Sequence, residues 1–273
     1  MKLNKLIAIA TISLLSGGIS MAQKALNLED IVAGNVIQTK GIGSMTWLKD
    51  GERYSRLENN KQTGGTDIVA YQAKDNSREV IIPSSLLTDK STGKPIPARS
   101  ISWSADNKKV LIYNNTQRVW RYDTRGDYWV LNLKDGALRQ LGKGMPESSM
   151  MFAKFSPDGT RVAYVSNNNI YVEDIDSGKI TQLTKDGSDT IVNGTFDWVY
   201  EEEFSCRDGF RWSPDGKHIA YWQSDTKGTG VFDIINNVDS IYAKVIHFPY
   251  PKAGTTNSAC KVSICCCLAS NSF

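Results

Sequence analysis

Short apolar runs separated by tight polar turns recur along most of this chain. Residues 162–165 and 219–222 are two such runs, rich in aliphatic and aromatic side chains. Each follows a Ser-Pro-Asp-Gly turn, in which proline sets φ and glycine accepts a positive φ. Short β-branched and aromatic runs that are bounded by turn residues predict β-strands.

These turns belong to a longer repeat. An aromatic residue precedes each turn, and these anchors, Trp47, Trp103, Phe155 and Trp212, recur at intervals of about 55 residues. Each interval has room for four short strands, which is the content of one β-propeller blade. The pattern therefore predicts an all-β fold, a β-propeller of roughly four blades over residues 41–262. Because propellers close with about four to eight blades, four blades form either a small ring or part of a larger one.

The N-terminus has the pattern of a signal peptide. Lys2 and Lys5 precede an apolar run at 6–15, and the small residues Ser20 and Ala22 mark a cleavage site. We predict a signal peptide over residues 1–22 and an exported protein, periplasmic or extracellular. A buried N-terminal helix is the alternative.

The segment 23–40 is predicted to be helical. Asn27 is a suitable N-cap for the Leu-Glu-Asp-Ile run at 28–31, whose acidic residues lie near the positive end of the helix dipole. Gly34 would end this helix.

Charge and hydropathy exclude two classes of partner. The formal net charge is only +3, and no basic stripe indicates nucleic-acid binding. No run reaches the roughly 18 apolar residues of a membrane-spanning helix. We expect no nucleic-acid partner and no stable membrane span, and no motif indicates a cofactor.

Five cysteines are present, and four of them lie near the C-terminus. Export permits disulfides, and a Cys206–Cys260 bond remains open. A zinc site formed by Cys260 and the Cys-Cys-Cys run at 265–267 is the functional alternative for this part of the sequence. Adjacent cysteines supply tetrahedral geometry poorly, because paired zinc ligands are usually separated by two to four residues. We therefore expect no metal site.

Three consecutive carboxylates follow a Trp-Val-Tyr run at 198–200. Neighbouring like charges repel each other, so such a run is usually a solvated face. It becomes useful where a cation has to be held, and the free amino group of a peptide, with a pKa near 8, is such a cation.

Several motifs together resemble one known family. They are the Leu-Glu-Asp-Ile run at 28–31, the Trp-Ser-Pro-Asp-Gly turns, Asp-Trp-Val-Tyr-Glu-Glu-Glu at 197–203 and Tyr-Pro-Lys-Ala-Gly at 250–254. Over about residues 26–262 they resemble the N-terminal β-propeller of dipeptidyl peptidase IV. The resemblance implies that the four blades are a partial ring of an eight-bladed propeller, which an α/β-hydrolase domain follows. Only the acidic motif is specific, since many periplasmic propellers have the turns.

The resemblance also implies a substrate and the residues that hold it. The family releases dipeptides from N-termini whose second residue is proline or alanine, so the partners would be peptide substrates with a free N-terminus. Glu202 and Glu203 match the two glutamates that hold the substrate ammonium, and Glu201 would point elsewhere. Family members commonly form homodimers.

A propeller arginine of the family binds a substrate carbonyl, and Arg121 matches it by its place in the blade. Arg118 and Arg125 lie nearby in the sequence and remain competitors. The family often continues this arginine with His-Ser, whereas this chain has Tyr122-Asp123.

The catalytic residues of the family have no counterpart in this chain. The nucleophile of a hydrolase fold lies in Gly-x-Ser-x-Gly, and no such pentapeptide occurs in the sequence. His218 and His247 are interpreted as structural. The chain alone is therefore expected to be inactive, with no catalytic residue of its own.

The C-terminal segment 263–273 departs from the family and is interpreted as an aberrant Cys-rich tail produced by a frameshift or by a misassembled gene end. A non-enzymatic periplasmic propeller that binds peptides or proteins is the alternative function. A nonfunctional product that aggregates through open blade edges is a third.

Overall fold

The computed structural model describes residues 27–32, 41 and 43–267. Helix α1 is short, Leu28–Val32, and the N–H of Ile31 donates to the carbonyl of Asn27 over 3.3 Å. A helix therefore follows Asn27, as the pattern predicts. The predicted signal peptide and the predicted helix end at Gly34 lie outside the described residues.

The first blade is a four-stranded antiparallel sheet with its strands in sequence order. Its strands are β1 (Thr46–Trp47), β2 (Arg53–Asn59), β3 (Thr66–Gln72) and β4 (Arg78–Ile82). A 3-10 turn, Ser84–Leu87, follows β4 and buries Leu87.

Two further blades have the same meander. The second consists of β5 (Ser100–Trp103), β6 (Lys109–Val119), β7 (Tyr122–Asn132) and β8 (Ala137–Gln140). The third consists of β9 (Met150–Phe155), β10 (Arg161–Ser166), β11 (Asn169–Asp174) and β12 (Ile180–Gln182). A single pairing of Gly126 with Met150 connects the two sheets. Strands β6 and β7 are longer than their counterparts, so their hairpin extends beyond the blade.

The fourth blade is built around β15 and carries two insertions. Its strands are β13 (Ile191–Asn193), β14 (Phe210–Trp212), β15 (His218–Asp225) and β18 (Ala259–Cys266). Strands β13 and β14 both pair with β15, and β18 pairs with it along its whole length. Helix α2 (Trp198–Glu203) lies between β13 and β14, and the hairpin of β16 (Val231–Asn236) and β17 (Lys244–Pro249) lies between β15 and β18.

The repeated sequence motif connects neighbouring blades. The indole N–H of Trp103 donates to Ser55 Oγ in the preceding blade over 3.0 Å. Similarly, the indole N–H of Trp212 donates to the Lys154 carbonyl in the third blade over 3.3 Å. Trp103 and Trp212 therefore connect consecutive blades, and the predicted all-β fold of roughly four propeller blades is confirmed.

Three apolar clusters fill the interfaces between consecutive blades. The cluster between the third and fourth blades includes the buried Cys267. The boundary predicted at residue 262 falls inside β18, which continues to Cys266, and residues 268–273 lie outside the described residues. No helix among the described residues has the length and hydropathy needed to cross a membrane.

Candidate functional site

Helix α2 belongs to an insertion in one edge of the fourth blade. Gly194 and Gly209 meet at its base, where the N–H of Gly209 donates to the Gly194 carbonyl over 3.0 Å. Both glycines also bond to the backbone of Trp222 in β15, at 2.9 and 2.8 Å. A Cβ on Gly209 would lie 3.0 Å from the backbone of Gly194, so the close approach requires glycine. The edge of the blade is thus interrupted between β13 and β14, and helix α2 lies in this interruption.

Asp197 begins α2. It has extended backbone angles, φ −74° and ψ 175°, and its side chain accepts the N–H of Tyr200 over 3.1 Å, the geometry of an N-cap. Its second carboxylate oxygen accepts a hydrogen bond from the Ser258 hydroxyl. The side chain of Asp197 therefore connects the first insertion of the fourth blade, which contains α2, to the end of the second insertion at Ser258.

The three glutamates of α2 have different environments, because consecutive residues of a helix point about 100° apart. Glu201 is buried, and its Oε1 lies 3.7 Å from Arg207 Nε. Burial raises the pKa of the Glu201 carboxyl, and the positive charge of Arg207 opposes that shift. Glu201 thus faces the protein interior.

Glu202 is paired with Arg121. Its side chain is only 7% exposed, and its Oε2 lies 2.6 Å from Arg121 Nε. Its other oxygen, Oε1, is buried and has no hydrogen-bond partner among the residues that the structure describes. Arg121 is 77% exposed and lies in the two-residue turn between β6 and β7, beside Trp120, whose φ is +53°. The long hairpin of the second blade therefore brings two of the three predicted site residues into contact.

Glu203 is exposed and lies apart from that pair. It lines a cleft of about 460 Å³ together with Val199, Tyr200, Phe204, Pro251 and Asn257. Among the described residues its carboxylate has no hydrogen-bond or ion-pair partner. The structure therefore puts Glu203 within the same helical turn as Glu202 but not in contact with Arg121.

Aromatic packing holds α2 between two hairpins. Trp198 packs on Phe248 and Tyr250 of the inserted hairpin and the segment after it, with ring centroids 5.3 and 4.9 Å away. Phe248 also packs on Trp120, at the tip of the β6–β7 hairpin, at 5.0 Å. The Trp-Val-Tyr run thus has a packing role beside the acidic run.

Comparison with known proteins assigns the family. The sequence profile "Dipeptidyl peptidase IV (DPP IV) N-terminal region" matches residues 104–273. The chain belongs to the dipeptidyl peptidase IV family. It is 31% identical over 242 residues to dipeptidyl aminopeptidase B of Saccharomyces cerevisiae, covering 83% of this chain and 28% of the yeast protein. It is 29% identical over 244 residues to the mouse protein named prolyl endopeptidase FAP, covering 89% of this chain and 30% of the mouse protein.

A solved structure of the same family has a similar fold. The crystal structure of Porphyromonas gingivalis dipeptidyl peptidase 4 aligns with a TM-score of 0.76 and 26% identity, over 89% of this chain and 33% of that one. The chain thus spans less than a third of the length of the yeast and mouse relatives, at 28% and 30%.

The other arginines near the dipeptidyl peptidase IV motif have distinct surroundings. Arg118 lies 3.8 Å from Asp123. Arg125 is exposed, and among the described residues its guanidinium has no hydrogen-bond or ion-pair partner, although its charge acts on Glu201. Sequence analysis missed Arg207, which lies over the ring of Tyr122 at 3.4 Å. The replacement of the family's histidine by Tyr122 is the signal that could have drawn attention to this position.

His247, Cys206 and Cys260 lie at different places in the fourth blade and its insertions. His247 Nδ1 lies 2.6 Å from Asp233 Oδ1 on the inserted hairpin. Cys206 and Cys260 are free thiols, and Cys260 Sγ lies 3.6 Å from the Tyr200 hydroxyl. Within the described ranges no three His, Cys, Asp or Glu side chains group as metal ligands.

Proposed function

We propose that this chain is the N-terminal propeller portion of an exported dipeptidyl peptidase IV-like serine exopeptidase. In the parent protein it would anchor the free N-terminus of a peptide from which an Xaa-Pro or Xaa-Ala dipeptide is released. Export rests on the N-terminal sequence pattern. N-terminal sequencing of the protein from a periplasmic fraction should give a sequence that begins near Gln23.

The observation that carries the proposal is the buried, half-satisfied carboxylate of Glu202. A buried acceptor without a partner is unusual and destabilising. Glu202 Oε1 is such an acceptor. An ammonium group brings three N–H donors and a positive charge, and charge-assisted hydrogen bonds of this kind are the strong ones. The peptide amine would bind at Glu202 and draw in the exposed Glu203.

Arg121 has two roles in this proposal. Its guanidinium offsets the cost of burying the Glu202 carboxylate, since an unpaired buried charge is strongly disfavoured. Its side chain remains largely exposed, so its other N–H groups are free to donate to a carbonyl oxygen of the same peptide. Glu202 would then bind the ammonium group of the peptide, and the adjacent Arg121 would bind its carbonyl oxygen.

The bond-breaking chemistry belongs to the parent. In the family's chemistry a serine attacks the peptide carbonyl with a histidine as base. This chain contributes binding groups to that reaction and has no Gly-x-Ser-x-Gly pentapeptide. With a Gly-Pro chromogenic substrate we therefore expect no turnover above that of a Glu202→Ala, Glu203→Ala double variant.

The binding test compares two peptides that differ only at the amine. Gly-Pro-Gly with a free N-terminus should bind the full chain in calorimetry. N-acetyl-Gly-Pro-Gly should bind at least about tenfold more weakly, because it has no ammonium group to pair with the glutamates. Affinity should fall as pH rises past about 8, where the peptide amine loses its proton.

Matched variants locate the effect. Glu202→Gln and Glu203→Gln should weaken binding of the free peptide. Glu79→Gln should leave it unchanged, because Glu79 is a surface glutamate of the first blade that pairs with Arg53 at 3.2 Å. Equal affinity for both peptides would reject amine recognition and favour the non-enzymatic peptide-binding propeller.

A further inference from the structure

Arg207 lies between two groups that belong to different blades. Its guanidinium carbon is 3.4 Å from the centroid of the Tyr122 ring, a cation–π contact, and its Nε is 3.7 Å from Glu201 Oε1. Its side chain is 22% exposed and the Glu201 side chain 8%. Partial burial strengthens both contacts, because water screens them less.

These contacts run parallel to the Arg121–Glu202 pair. Tyr122 directly follows Arg121 in the hairpin turn, and Glu201 directly precedes Glu202 in α2. The second blade and the insertion of the fourth blade are thus joined twice in succession, once by a direct ion pair and once through Arg207. Because Arg207 contacts the residues adjacent to Arg121 and Glu202, it also restrains the backbone that carries Arg121 and Glu202.

The hairpin tip needs such a contact, because the blade does not hold it in a regular ladder. The β6–β7 pairing shifts register between Asn114 and Gln117 and again between Gln117 and Arg118. Each irregularity breaks the ladder and lets the hairpin bend. Beyond it, the contacts that join the tip to the fourth blade are Trp120 on Phe248, Arg121 on Glu202 and Tyr122 on Arg207.

We propose that Arg207 and Tyr122 are positioning residues: stacked between Tyr122 and Glu201, Arg207 holds the Arg121 guanidinium at Glu202. Their effect on peptide recognition rests on the proposed function, whereas their effect on the Arg121–Glu202 pair does not. Within the part of the chain that the structure describes, Glu201 Oε1, Glu202 Oε1 and Arg207 Nε are buried at this point without a hydrogen-bond partner. A purely structural ion pair would be expected to satisfy them.

The test observes the Arg121 ion pair directly by NMR. The Arg121 Nε–H signal, assigned by its loss in Arg121→Lys, should exchange slowly with water in the unmodified full chain. Tyr122→Leu, Arg207→Gln and Glu202→Gln should each accelerate that exchange about tenfold, because the tip opens more often. Tyr122→Phe, which keeps the ring, and Arg118→Gln, a neighbouring arginine outside the stack, should leave it unchanged.

Arg207→Lys separates the stack from simple charge. It keeps a positive charge near Glu201 but has no planar group to lie on Tyr122, so an intermediate exchange rate is expected. It also replaces Arg207→Gln as the informative variant if the latter does not fold. Unchanged Arg121 exchange in folded Tyr122→Leu and in a folded Arg207 variant would overturn the proposal.

Peptide binding separates this inference from the function on which it partly rests. If Gly-Pro-Gly binds the unmodified chain, Tyr122→Leu and Arg207→Gln should weaken it about fivefold while Tyr122→Phe retains it. Unchanged peptide affinity alongside accelerated exchange would reject the role in recognition. If the unmodified chain does not bind the peptide, the proposed function fails, and the exchange measurements still decide whether Arg207 positions Arg121.

Discussion

Removing the cap of helix α2 should loosen the site without unfolding the blades. The change is Asp197→Ala. One carboxylate oxygen of Asp197 accepts the N–H of Tyr200 at 3.1 Å, and the other accepts the hydroxyl of Ser258. The substitution therefore deletes both the N-cap and the tie to the segment before β18.

The two contributions set the magnitude. Loss of an N-cap aspartate costs about 1 kcal/mol. A hydrogen bond to a charged group is worth about 1.5 kcal/mol at the lower, part-exposed end of its range. Together they give about 2.5 kcal/mol of local stability. A six-residue helix has little intrinsic stability to compensate for this loss.

Hydrogen–deuterium exchange measures local opening. In Asp197→Ala the amides of 200–204 should exchange about seventyfold faster, which corresponds to that free energy, while those of β10 and β11 stay protected. Asp197→Asn is the matched control, because its amide oxygen can still cap the helix. Unchanged exchange at 200–204 in Asp197→Ala would refute the assignment of this side chain as the anchor of α2.

Three further outcomes follow from other contacts. Gly209→Ala should destabilise the fourth blade by about 2 kcal/mol in urea unfolding, because its Cβ would meet backbone, whereas Gly228→Ala, whose Cβ meets only a methyl group at 3.8 Å, should be nearly neutral. Glu173→Ala should cost about 3 kcal/mol in the same assay, because it leaves Arg139, 3.0 Å away, without its buried partner. Burial lowers the pKa of Lys154 to about 8 from the usual 10.5. Between pH 8 and 10 the unfolded chain therefore binds more protons than the folded chain, and the free energy of unfolding should rise with pH. Lys154→Met should flatten that rise, and an unaltered slope in this variant would contradict the assignment of the pH dependence to Lys154.

The repeat predicted the blades because two of its anchor aromatics connect consecutive sheets. Trp103 and Trp212 both pack between sheets and donate their indole N–H to the preceding blade. The Ser-Pro-Asp-Gly turns then fix the strand that follows. In the turn before β15, for example, Ser213 Oγ donates to Asp215. These interactions are local or repeat at a constant spacing, so they are visible in sequence.

The insertions could not be predicted in this way. Residues 194–209 interrupt a strand edge, and the strand that resumes at Phe210 keeps its place only because Gly194 and Gly209 meet. That closure joins residues 15 positions apart through backbone atoms, and it has no periodic signal. The stack of Arg207 on Tyr122 joins residues still farther apart in the chain.

The acidic run at 201–203 has some properties that can be predicted from sequence and others that cannot. Its composition predicts that a cation matters, but side-chain direction depends on the phase of the helix, which Asp197 sets at one end and the packing of Trp198 fixes. With that phase, Glu201 turns inward to Arg207 and Glu202 meets Arg121, while Glu203 remains exposed. Three identical side chains thus acquire three environments. The sequence thus predicts the charge of this run, whereas the geometry of the helix determines the surroundings of each carboxylate.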